Sequence, residues 1–138
     1  MSVFGALRAS GSALRAGRTR MDVIAENIAN VETTRTADGG PWRRREVVLR
    51  ATPVGDGASG VRCNGVRVAA VEPDEAPLQR IHNPGHPDAD VEGYVEMPNV
   101  DLSTEMADMV LAARAYEANA AALRSGREML QTALSILA

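Results

Sequence analysis

Apolar residues recur every seven positions at both ends of this 138-residue chain, while Gly and Pro break up the middle. Near the C-terminus Leu102, Met109, Tyr116, Leu123, Leu130 and Leu137 keep the spacing for five intervals. A second column, Met106, Ala113, Ala120 and Leu134, runs four residues behind, and only Arg127 interrupts it. Near the N-terminus Leu7, Leu14, Met21 and Ile28 repeat in the same way. Paired columns three or four residues apart form the narrow seam of a coiled-coil helix, which must be buried against another helix. Seams of this length ask for partners. Helices far apart in sequence, one at each terminus, suit a subunit that assembles with copies or relatives of itself.

Composition narrows the possibilities. The length fits one compact domain or two small lobes. Aromatics make up 3%, namely Trp42, Phe4, Tyr94 and Tyr116, so a thick aromatic core is not expected. A net charge of −3 argues against bulk nucleic-acid affinity, which needs a positive footprint. Every basic side chain is Arg, and the absence of Lys removes Schiff-base and Walker-type phosphate chemistry. The single Cys63 cannot form an internal disulfide and reads as a small residue in a Gly-rich stretch. No apolar run reaches the roughly 18 residues of a membrane span, and no charged start leads into a signal-type apolar region. Arg8, Arg15, Arg18 and Arg20 without an acid imitate a transit peptide. The apolar column nevertheless continues into Ile28, past Asp22 and Glu26, so structural helix is the better reading.

The first helix is expected over about Val3 to Val31, with Gly5, Gly11 and Gly17 loosening its first half at about 1 kcal/mol each. Ser10, Gly11, Ala13 and Gly17 would admit a close neighbouring helix. The β-branched Thr33, Thr34 and Thr36 and the turn Asp38-Gly39-Gly40-Pro41 end it. Arg44 to Ala51 and Gly65 to Glu72 read as strands of an antiparallel hairpin, joined by a loop over Pro53 to Gly60. Pro73 to Pro77 is a second breaker. A shorter pair, Gln79 to His82 and Gly93 to Glu96, follows around the loop Asn83 to Asp90. Pro98 closes this region, Asp101 or Ser103 can cap the last helix, and Glu105 and Asp108 suit its dipole. The expected fold is therefore α+β, mainly α, with long terminal helices paired in a coiled-coil-like layer and antiparallel hairpins between them. Its parts are an N-terminal helix (1–34), a β-rich middle lobe (35–98) and a C-terminal helix (99–138).

Catalytic patterns are scarce. His82, His86, Asp88 and Asp90 are the only cluster with metal-ligand chemistry, and a soluble metal-dependent hydrolase built on them is the alternative function. Their spacing follows no helix face, and Pro84, Gly85 and Pro87 mark a turn-rich loop where Asp and His bond the backbone. Arg43-Arg44-Arg45 beside Trp42 would alternate faces in a strand, which dilutes a nucleic-acid footprint. Gly39-Gly40-Pro41 leads into a strand, so no phosphate loop opens a helix. Arg127 is either an edge position whose stem packs and whose head reaches water, or a registry device that pairs with an acid on a neighbouring helix.

Several segments carry a family resemblance. They are Gly11-Ser12-Ala13-Leu14, Ala25-Glu26-Asn27-Ile28-Ala29-Asn30-Val31, Asp38-Gly39-Gly40-Pro41-Trp42-Arg43-Arg44, His86-Pro87-Asp88-Ala89-Asp90 and Gly93-Tyr94-Val95. Met97-Pro98-Asn99-Val100-Asp101, Glu105-Met106-Ala107-Asp108-Met109 and Arg114-Ala115-Tyr116-Glu117-Ala118-Asn119 complete the set. Over nearly its whole length the chain resembles the rod–hook family of the bacterial flagellum, and within it the proximal rod type, the C member. The block Asn27 to Asn30 is common to flagellar axial proteins. The blocks Gly39, Gly40, Pro41, Trp42 and Pro98-Asn99 through Tyr116 and Asn119 are more specific, with Gly93 and Tyr94 as further motif positions. Trp42 stands where Tyr is common, and Arg127 where Lys is common.

This resemblance implies a non-catalytic subunit of the basal-body rod, the hollow drive shaft that crosses the periplasm, transmits torque and passes exported subunits. Its expected partners are other rod subunits, copies of itself, the flagellar type III export apparatus, and the membrane-embedded ring with its surrounding bushing. Export proceeds without a cleaved signal. The terminal helices form the inner layer and the β lobe sits outside. Neither cofactor, metal, nucleic acid nor small-molecule substrate is implied. A distal rod or hook subunit would need a longer middle domain.

Overall fold

The computed structural model describes residues 3–53 and 64–137, with backbone only at Val3 and Leu137. The loop from residue 54, Cys63 and the Leu137 side chain thus lie outside the described residues. Among the described residues six elements follow in order: α1 (Val3–Ala29), β1 (Arg45–Pro53), β2 (Asn64–Pro73), β3 (Gln79–His82), β4 (Tyr94–Met97) and α2 (Leu102–Leu137). The fold is α+β, with two long terminal helices and two antiparallel hairpins.

Local chemistry explains where the elements begin and end. At the end of α1 the Asn30 side chain donates to Glu26 O at 2.8 Å, which satisfies a last-turn carbonyl. Thr33 Oγ1 donates in turn to Asn30 Oδ1 at 3.1 Å. The chain reverses at Gly39 and Gly40, whose φ angles of 86° and 77° L side chains rarely adopt. That reversal lets the Trp42 amide donate back to Thr33 O at 2.9 Å. At the start of α2, Asp101 rather than Ser103 is the cap. Its Oδ2 accepts from the Thr104 amide at 3.1 Å and from the Thr104 hydroxyl.

In the first hairpin, β1 pairs with β2 from Arg45↔Pro73 to Pro53↔Asn64, with a bulge between Val48 and Leu49. In the second, β3 pairs with β4 from Gln79↔Met97 to His82↔Tyr94. Helix α1 is the middle layer, packed on α2 along one side and on β1 and β2 along the other. The Val66 amide donates to the buried Ser12 Oγ at 3.0 Å and so pins β2 onto α1. The buried apolar residues are small: Ala16, Val23, Ile24, Val95, Val100 and Ala112. Such a core agrees with a composition nearly free of aromatics, and it leaves much of the apolar surface outside.

Candidate assembly interface

A polar joint holds the two helices and the β region together. Asn27 is 1% exposed and Glu105 is fully buried. Asn27 Oδ1 accepts from the Arg45 amide at 2.9 Å and from Trp42 Nε1 at 3.4 Å. Its Nδ2 donates to Arg45 O at 2.9 Å and to Glu105 Oε2 at 3.1 Å. The other carboxylate oxygen of Glu105 accepts from Arg44 Nε at 2.6 Å. Arg44 also pairs with Glu46, and lies 3.6 Å from Asp74 and 3.8 Å from Asp108. Burial works to lower the Arg44 pKa, but the hydrogen bonds and charges of Glu46 and Glu105 outweigh it and hold it above its ordinary value. Asn99 fixes the same corner: its Oδ1 accepts the Arg44 amide at 2.8 Å, and its Nδ2 donates to Asp74 O and Ala76 O. One residue from α1, one from α2 and the run 42–45 therefore meet in a single network.

From this joint α1 and α2 run antiparallel. Asp108 lies 3.6 Å from Arg20. A Cβ on Gly17 would meet Tyr116 Cδ2 at 3.7 Å, one on Gly11 would meet Leu123 Cδ1 at 4.0 Å, and one on Gly126 would lie only 2.6 Å from Leu7 Cδ2. The small residues of α1 thus admit α2 of the same chain. Met109, Leu123 and Leu130 are half-buried along this seam, and Tyr116 is 36% exposed. Leu7, Leu14, Met21 and Ile28 are all half-buried on α1.

The inner column of α2 consists of Glu105, Ala112, Asn119 and Gly126, spaced by seven, with Asn119 half-buried and the other three buried. Asn119 Nδ2 bonds Ala115 O at 2.8 Å. Small and polar residues stand here because α1 approaches too closely for bulk. The column of Met106, Ala113, Ala120, Arg127 and Leu134 lies one residue further round, about 100° away on the helix surface. Met106 is 57% and Leu134 66% exposed, Arg127 is exposed, and Ala113 and Ala120 are half-buried. Leu102 and Val110 are exposed on the same flank. Arg127 makes no ion pair among the described residues. Leu111, Met129 and Ile136 form another exposed stripe. Helix α2 is therefore apolar on more sides than α1 can cover, which is the pattern of a helix built for burial all round.

The β3–β4 region holds the remaining motif residues. Gly93 has φ 81°, and a Cβ there would come 3.1 Å from His82 Nε2 and from Pro84 Cβ. Tyr94 packs edge-on against His82, with ring centroids 5.1 Å apart, and the Arg80 guanidinium lies over it. Pro98 is buried and Pro41 half-buried. The four residues of the alternative metal site have other partners. Asp88 bonds Thr34 and Arg35. Asp90 accepts from the Tyr94 and Glu92 amides and pairs with Arg80, contacts that hold its carboxyl below the usual range, the Tyr94 bond contributing most. His86 Nδ1 accepts the Asp88 amide, and His82 meets Tyr94 edge to face. Among the described residues no three His, Cys, Asp or Glu side chains converge as a metal site. The hydrolase alternative has no support in this geometry.

Glu105 is the residue that helix-dipole reasoning undervalued. A first-turn carboxylate usually faces water, and only its place in the motif run 105–109 marked it as special.

The comparisons agree with this architecture. Residues 7–35 match the family model described as flagella basal body rod protein, and residues 91–136 match the one described as flagellar basal body rod FlgEFG protein C-terminal. The chain is 42% identical to the flagellar basal-body rod protein FlgC of Borreliella burgdorferi, over 99% of both chains. It is 39% identical to FlgC of Bacillus subtilis over 99% of both, and 38% identical to FlgC of Salmonella typhimurium over 99% of this chain and 98% of that one. Segments at both termini and the identity over nearly the full length point one way: the chain belongs to the family of flagellar basal-body rod proteins, with the FlgC proteins as its relatives.

Proposed function

We propose that this chain is a structural, non-catalytic subunit of the flagellar basal-body rod that assembles helically with copies of itself and other rod proteins into a hollow, torque-bearing shaft. In this role residues 1–34 and 99–138 supply the inner helical layer, and residues 35–98 form the outer lobe. The subunit reaches the rod through the type III export apparatus without a cleaved signal, crosses the periplasm in the finished shaft, and contacts the membrane-embedded ring and the surrounding bushing. The packing residues are the α1 column Leu7, Leu14, Met21 and Ile28 and both α2 columns, Arg127 included.

The observation that carries this reading is the apolar flank of α2. Met106 and Val110 stand 57% and 59% exposed on that flank. Burial of such side chains against neighbours is worth about 1.5–3 kcal/mol each.

The test is Met106→Glu combined with Val110→Glu. Both positions face away from α1, so the isolated chain should lose less than about 1 kcal/mol, as surface changes do. In the shaft two buried, unpaired carboxylates would cost several kcal/mol per subunit. Cells carrying only this variant should export a folded chain yet complete no rod and not swim. Normal swimming would show that the flank is not an assembly surface.

A further inference from the structure

The seam between α1 and α2 is periodic on both sides. Leu7, Leu14, Met21 and Ile28 on one helix and Met109, Tyr116, Leu123 and Leu130 on the other all repeat at seven. A slide of α2 along α1 by seven residues, about 10 Å, therefore sets apolar side chains against apolar side chains again. In one direction Ala112, Asn119, Gly126 and Ala133 would take the places of Glu105, Ala112, Asn119 and Gly126, and none of them is large. The steric peg is shallow, since a Cβ at the place of Gly126 meets Leu7 at Cδ2, the end of a flexible side chain. Arg127 does not mark the register, being exposed and without an ion pair among the described residues. The strands give little hold, because none of the four packs on α2, and β3 and β4 pack only on each other. Glu105 is the one fully buried charge among the described residues.

We infer that Glu105, reaching across to Arg44 and Asn27, fixes the register of α2 on α1. In the observed register its carboxylate accepts from Arg44 Nε at 2.6 Å and from Asn27 Nδ2 at 3.1 Å. A slide of seven residues carries it past the end of α1 in one direction and to the place of the buried Ala112 in the other, and either way both bonds are lost. Bonds to a charged group are the strong ones, and a single buried polar position can specify one register in an otherwise uniform seam. Asn99 anchors the chain ahead of α2 at the same corner, but through neutral groups that are partly buried or exposed. Replacing the charged pair by apolar groups of similar volume should therefore leave helix content nearly intact while blurring the register. A merely structural role would not separate the two in this way. The inference concerns a single chain and stands whether or not the flank of α2 is an assembly surface.

The experiment traps the register with disulfides in the full chain, with Cys63→Ser throughout so that no third thiol competes. Leu7→Cys with Gly126→Cys reports the observed register, in which a Cβ at 126 lies 3.4 Å from Leu7 Cγ. Leu7→Cys with Ala133→Cys reports the slide. In the observed register that second pair stands about 10 Å apart along the axis, beyond the roughly 7 Å limit between the Cα atoms of a disulfide. Each pair is placed in the wild-type background, in Arg44→Met with Glu105→Leu, and in Asn99→Ala. Intramolecular closure in a redox buffer is read by mass spectrometry, with circular dichroism beside it. The first pair should close in the wild-type background. Closure of the shifted pair relative to the first should rise at least about tenfold in Arg44→Met with Glu105→Leu, at wild-type helix content, and by less in Asn99→Ala. If that double variant loses its helices, Glu105→Gln takes its place: it keeps the shape and weakens the charge-assisted bonds, and the ratio should still rise, by about threefold. An unchanged ratio, a larger rise in Asn99→Ala, a first pair that fails to close, or equal closure of both pairs in the wild-type background would each overturn the inference.

Discussion

Asn27→Asp tests the joint more sharply than a truncation does, because it changes neither shape nor volume. A pure packing account expects almost no effect. The hydrogen-bond account expects a large one. Nδ2 is the only donor on this side chain, and it serves both Arg45 O at 2.9 Å and the fully buried Glu105 carboxylate at 3.1 Å. Losing a bond to a charged group costs about 1.5–3 kcal/mol, and losing the one to the carbonyl about 0.5–1.5 kcal/mol. The new carboxylate would also stand against Glu105. At that separation and an effective dielectric near 20, two full charges repel by about 5 kcal/mol, so the pair would bind a proton at lower cost than it would bear both charges. The two lost bonds together come to about 2–4.5 kcal/mol before the cost of the added proton, a large share of the roughly 5–15 kcal/mol that holds a domain together. Urea unfolding followed by circular dichroism measures it. Because a shared proton relieves the repulsion, the deficit should shrink as pH falls toward the carboxylate range. A loss under about 1 kcal/mol, or one independent of pH, would refute the view that Asn27 acts through Glu105.

Two further outcomes follow from the geometry. Gly126→Ala would put a methyl 2.6 Å from Leu7 Cδ2, so the end of that side chain must move, which offsets part of the gain of about 1 kcal/mol that Ala brings to a helix; in a Leu7→Ala background the gain should be larger, and an equal effect in both backgrounds would refute the close-approach argument. The Asp101 carboxyl is held below its ordinary value of 3.8, chiefly by the Thr104 hydroxyl, so its contribution is present above that pH and is lost as pH falls through its folded value. Asp101→Ala should therefore flatten the acid limb of α2 helicity in a circular-dichroism titration, and an unaltered limb would remove Asp101 from the cap.

The repeat of seven located both helices, and Gly and Pro located both hairpins, down to Gln79–His82 with the same ends. These signals survive in sequence because they are periodic or local. The inner column of α2 was not legible, since Glu105, Ala112, Asn119 and Gly126 share no hydropathy. They share only the demand that α1 come close and that one carboxylate be satisfied across 78 positions of sequence, a condition no local pattern records. Similarly, Gly11 and Gly17 announced a close neighbour but not that it is Leu123 and Tyr116 of the same chain. The His82 to Asp90 cluster misled in the opposite direction. Its residue types suit a metal, while the turn geometry that Pro84 and Gly93 impose commits them to caps, ion pairs and a ring contact.

Among the described residues α2 lies against α1 and touches none of the four strands. Mechanically, that makes α1 a core ply between two skins. Shear entering through the outer flank of α2 reaches the β region through the α1 layer along the long glycine-lined seam, through Arg44 held by Glu105 and Asp108, and along the chain itself from Leu102 back through Asn99 to β4. The first is spread over some 30 Å of small side chains, by the roughly 1.5 Å rise between Leu7 and Asn27, and slips gradually. The second is concentrated in a short ion pair and yields abruptly. Coupled in parallel, they give a part that is stiff to small twists and compliant beyond them.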